Sequence, residues 1–269
     1  VILLEKRTGR MRLPRSAAAL LDELGITEPR DIEVEAIAQH CGATVLYEPL
    51  YGCEARIVGL GDRAIITVRD DVARGRQRFS VGHEIGHWLR DREQVAFACT
   101  ERVFRGEWAT NNPERRANAF AAELLLPERM FLPVARSLPL TLATVHSLAA
   151  TFETSLTATA IRLIQVGPQP AMVVCSTRAG KRTWFFRSRD VFLWPHDSVL
   201  RDSVAWDIAR GAAATGPADV DAAAWIDQTE PERYSLVEDS MALGPDLVLS
   251  LLWWKDERQL IDAAEQGDG

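Results

Sequence analysis

The chain has 269 residues, 47% of them hydrophobic and 26% charged, with a formal net charge of −7; that is the balance of an ordinary globular protein with enough chain to bury a core without staples. Four cysteines (Cys41, Cys53, Cys99, Cys175) lie far apart with no CxxC pair, which excludes a thiolate zinc finger and a disulfide scaffold, and the acidic balance argues against a dedicated nucleic-acid binder. No apolar run nears the ~18 residues of a membrane span and no secretory pattern stands out, so a reduced, cytoplasmic protein is the expectation.

Residues 1–14 read as a tail. Helical spacing of Ala17, Leu20, Leu21 and Leu24 then predicts a helix over Pro14–Gly25, and a second helix is expected from Asp31 as N-cap to Gly42. Three short apolar runs follow (43–46, 54–58 and AIITV at 64–68), with Leu60-Gly61-Asp62 as hairpin chemistry, so a small antiparallel sheet is expected. The next helix is predicted over Gly75–Leu89. Residues 90–112 are polar and irregular, with a short element around Val95–Cys99. Asn112 is placed to cap a helix over 113–126 that starts on Pro113 and stops at Pro127.

Further helices are expected over Leu142–Thr151 and Ser155–Ile164. Strand character returns at AMVVCS and TWFFRS, and PDLVLSLLWW at 245–254 is the strongest strand candidate. Residues 171–269 hold 10 Lys+Arg against 17 Asp+Glu, so they carry the whole net charge, and six of the eight tryptophans fall there. That shift marks a domain boundary near residue 170.

His83-Glu84-Ile85-Gly86-His87 is an HExxH sequence. Four residues along a helix is ~400° of rotation, which sets both imidazoles on one face, one turn apart, where they can share a cation. Glu84 is then placed to reach a water on that cation and act as general base, the arrangement that metal-assisted amide hydrolysis requires. Chance occurrence in a chain of this composition is on the order of 1%. The plainer reading is a solvated helix. Phe79, Val81, Ile85 and Trp88 around the motif put it against a core instead, and Gly82 and Gly86, which each cost ~1 kcal/mol relative to Ala in a helix, make sense where another backbone passes close by.

A catalytic zinc site needs a third protein ligand. His40, His146 and His196 do not repeat the spacing, which leaves Glu101, Glu107, Glu114, Glu123 and Glu128. On the 113–126 helix, Ala117, Phe120, Ala121, Leu124 and Leu125 form an arc that includes Glu114, with Glu123 on the opposite side. A carboxylate on a buried face needs a partner or a metal, so Glu114 is the expected ligand; the alternative is an acid favoured by the helix dipole. Asn118, one turn on, shares the face in a supporting role. Arg76, Gln77 and Arg78 could hold loops or a peptide, and Tyr47, Tyr51 and Tyr234 are the candidates for oxyanion stabilisation.

RQRFSVGHEIGHWL at 76–89 resembles the RxRFTxAHExGHxxL block of the ImmA/IrrE metallopeptidases, and ERRANAFAAELLLP at 114–127 resembles their ExxANxFAAxLLMP block. The resemblance spans about 15–165. It implies His83, His87 and Glu114 as metal ligands, Glu84 as base, zinc (with manganese as the alternative) as cofactor, and a cytoplasmic protease. The implied substrate is a helix-turn-helix repressor whose cleavage switches on stress or mobile-element genes.

The expected fold is α+β: a minimal zincin-like domain over 15–137, a helical, helix-turn-helix-like segment over 138–168, and a C-terminal mixed α/β domain over 170–265. The last is compatible with a GAF-like sensor that takes a ligand or protein partner. The substrate peptide is expected to lie extended beside Ala64–Val68. The alternative function is a DNA-binding regulator using helices 140–165, but Glu153 and Arg162 are the only charges there, a poor phosphate binder. A cysteine switch on the metal through Cys41, Cys53 or Cys99 is a further alternative to small buried hydrophobes.

Overall fold

Ser16 opens the first described helix by accepting from the Ala19 amide at 3.2 Å, which satisfies one of the donors that a helix start leaves unpaired. The computed structural model describes residues 16–90, 97–100, 112–227, 234–256 and 258–260. They belong to two compact units, Val1–Leu125 and Leu126–Gly269, and the fold is α+β with two sheets.

In the first unit the order is α1 (Ala17–Glu23), a 3-10 turn (Pro29–Asp31), α2 (Val34–His40), β1 (Ala43–Glu48), β2 (Cys53–Leu60), β3 (Arg63–Arg69), α3 (Arg74–Arg90), β4 (Phe97–Thr100) and α4 (Pro113–Leu125). Asp31 ends the 3-10 turn, and the N-cap of α2 is Glu33. The strands are ordered β1-β3-β2-β4. β2 and β3 form the expected hairpin, but the sheet is mixed, because β1 runs parallel to β3. Gly42 sets that direction. It sits at φ +82°, its carbonyl accepts from the Ala64 amide at 3.0 Å, and a Cβ there would stand 2.6 Å from the Asp62 carbonyl oxygen.

β3 is therefore flanked on both sides, which corrects the expectation of a peptide adding beside Ala64–Val68: among the described residues the outer strands of this sheet are β1 and β4. One sheet face buries Ala55, Ile57, Ala64, Ile66 and Val68 and carries α3, which packs on β2 and β3. The Trp88 indole N–H donates to the Cys41 carbonyl at 2.8 Å and ties α3 to the end of α2.

The second unit runs α5 (Glu128–Ala135), α6 (Leu142–Phe152), α7 (Leu156–Val166), β5 (Ala171–Thr177), β6 (Arg182–Arg187), α8 (Val204–Ala209), β7 (Ala218–Asp221), β8 (Ser235–Leu243) and β9 (Leu247–Trp253). Its antiparallel sheet is ordered β6-β5-β9-β8-β7. Met172, Val174, Trp225, Val248, Leu252 and Trp254 belong to one core. α7 packs on β5 and β6, and α6 on β8.

The break between units thus falls at 125/126, where the sequence reading put one at 137/138, and the helices of the 138–168 segment share a unit with the second sheet. Arg162 is turned inward there. Its Nε donates to the Leu126 carbonyl at 3.0 Å, and its guanidinium lies 3.9 Å from Glu128. The single cation between 140 and 165 is thus spent on packing rather than presented to phosphate. No helix among the described residues is long and apolar enough to cross a membrane.

Candidate metal centre

The site forms where α3 crosses α4. Gly82 and Gly86 share one stripe of α3, and Ala117 and Ala121 share one stripe of α4. A Cβ on Gly82 would meet the Ala121 Cα at 3.4 Å, and one on Gly86 the Ala117 Cα at 3.1 Å. Small residues on both helices let the two backbones approach closely. The neighbouring stripes, His83 and His87 on one helix and Glu114 and Asn118 on the other, are thereby brought face to face. α4 begins as its sequence predicts: the Asn112 side chain accepts from the Glu114 amide at 2.9 Å, which places Glu114 in the first turn.

His83 Nε2 lies 3.1 Å from His87 Nε2 and 3.2 Å from Glu114 Oε2, and His87 Nε2 lies 3.4 Å from Glu114 Oε1. Ligands at 2.0–2.1 Å from a tetrahedral zinc stand roughly 3.3–3.4 Å from one another. The three side chains therefore fit around a small divalent cation without rearrangement, and among the described residues they form the group able to hold one. Both histidines are buried. Their hydrogen bonds, His83 first and His87 second, hold the Glu114 carboxyl well below the ordinary carboxylate range, against a partial burial that pushes it up.

Asn118 Oδ1 lies 2.9 Å from His83 Nδ1. An amide oxygen can only accept, so Nδ1 carries a proton towards Asn118, and Nε2 is the nitrogen that faces Glu114 and His87. Glu84, between the histidines, is 0% exposed.

The other candidates lie elsewhere. His40 meets Glu23 at 3.2 Å, His146 is exposed on α6, and His196 faces the Ala223 carbonyl at 3.1 Å. Glu123 is half-buried outside the cluster, Glu128 is exposed on α5, and Glu101 and Glu107 lie outside the described residues. Arg76, Gln77 and Arg78 are engaged in holding the chain around α3: Arg76 pairs with Glu54 of β2, Gln77 donates to the Asp70 carbonyl at 3.1 Å, and Arg78 donates to the Ile32 carbonyl at 2.9 Å.

The Tyr47 hydroxyl is engaged by Glu35 and by Arg74, itself 2.7 Å from Glu35. Nothing in the sequence pattern marks that trio, whose members are separated by 12 and 27 positions. Tyr51 is exposed, and Tyr234 packs against the second unit's core. Cys41, Cys53 and Cys175 are buried and not joined in a disulfide, and the side chain of Cys99 lies outside the description.

Residues 38–163 match a peptidase family model described as the IrrE N-terminal-like domain. Among solved structures, one described as a Mycobacterium tuberculosis transcriptional regulator superposes with a TM-score of 0.57, covering 88% of this chain and 74% of its own at 14% identity, a likeness of fold. No curated protein matches the chain.

Proposed function

Because residues 38–163 belong to the ImmA/IrrE metallopeptidase family, we propose that the chain is a metal-dependent endopeptidase in which His83, His87 and Glu114 hold a divalent cation, zinc in preference to manganese. The observation that carries this reading is the convergence of three ligand atoms at 3.1–3.4 Å, with a fully buried carboxylate, Glu84, next to His83 in the same helix. Bound zinc supplies a Lewis acid that polarises a carbonyl and lowers the pKa of water towards ~7.

Glu84 is the general base. Its carboxylate takes the proton of the attacking water and hands it to the departing amine. Asn118 fixes the ring of His83. The chain being cut adds in extended form beside an outer strand of the first sheet, β1 or β4.

The substrate proposed from the family is a helix-turn-helix repressor, whose cleavage in the cytoplasm releases stress-response or mobile-element genes. The second unit is the place for a controlling ligand or protein partner.

The test is metal content by mass spectrometry for wild type and Glu114→Ala side by side, followed by incubation of both with repressors encoded nearby. About one zinc per chain, lost in the variant, together with cleavage by wild type alone, is the expected result. A wild type that takes up neither zinc nor manganese overturns the proposal.

A further inference from the structure

We draw no further inference here: the strongest candidate, the surface patch of the second unit after β6 where Phe192 and Trp194 are exposed and the Arg187 guanidinium stacks on the Trp194 ring, carries nothing, because nothing in the structure shows what covers it.

Discussion

Asn118 holds His83 from the far side of the ring: Oδ1 and Nδ1 are 2.9 Å apart, and the opposite nitrogen, Nε2, is the one that meets Glu114 and His87. A single amide thus decides both the tautomer and the aim of a candidate ligand. Removing such a support typically costs 10–100-fold in metal affinity. Asn118→Ala should show a loss of that order in competition with a chromogenic chelator, whereas Asn118→Asp, which keeps an acceptor in place, should retain most of the affinity. Equal affinity in wild type and Asn118→Ala would show that packing alone orients the ring.

Glu84→Gln separates binding from chemistry. Gln has the size of Glu, so the buried turn of α3 and the three ligands are left intact, but the amide cannot take a proton from water. Metal content should match wild type, and cleavage should fall by about 10²–10⁴-fold, the usual share of a general base. Cleavage at the wild-type rate would remove Glu84 from that role.

The helical elements around the site were legible because each side chain that matters obeys a 3.6-residue period: His83 and His87 one turn apart, and Glu114 inside the arc of Ala117, Ala121 and Leu125. Asn112 and Pro113 announced the start of α4. The glycines within the motif signalled a close backbone, although not that α4 would supply it. Strand order was not legible, since the parallel pairing of β1 with β3 depends on how the chain leaves α2 at Gly42 and not on any pattern within β1.

β8 was missed for a different reason. Glu238, Asp239 and Ser240 look like a solvated turn, and only the tertiary structure reveals that each carboxylate has a helix end to bind. α5 and α8 were missed because they are short and one contains Pro133, so their periodicity is thin.

The two glycines of the motif should respond oppositely to the same substitution. A methyl at Gly82 would sit 3.4 Å from Ala121, at the edge of ordinary contact, so Gly82→Ala should keep most of the ~1 kcal/mol helix-propensity gain and raise the melting temperature. At Gly86 the same methyl would press at 3.1 Å on the Ala117 Cα and the Phe120 Cβ, neither of which is a flexible side-chain end. Overpacking of that kind costs about 1–3 kcal/mol, so Gly86→Ala should melt earlier than wild type. Thermal melts of both variants check the pair. If Gly86→Ala is as stable as Gly82→Ala, the two helices are not in tight contact at the site.

Glu238 and Asp239, successive residues of β8, serve helices on opposite sides of the sheet. Glu238 accepts from the amides of Val204 (2.9 Å) and Ala205 (2.6 Å) at the start of α8, from the Trp225 indole (2.7 Å) and from Ser240 (2.7 Å), while Asp239 accepts from the Leu142 amide of α6 at 2.7 Å. Burial pushes both carboxyls up, and these donors pull them only part of the way back.

A carboxyl whose folded-state pKa lies above its unfolded value, about 4, binds its proton more tightly when folded. Its contribution to stability is then fully present below pH ~4 and is lost as the pH rises through the raised value. Glu238→Gln removes that titration. It also turns an amide N–H₂ towards donors that need an acceptor, so the variant should melt below wild type in acid. The gap between the two melting temperatures should narrow as the pH is taken from about 4 to 7, because only wild type acquires a buried charge over that interval. A gap that stays constant or widens would mean that the four donors outweigh burial and that Glu238 is already ionised in the folded protein at pH 4.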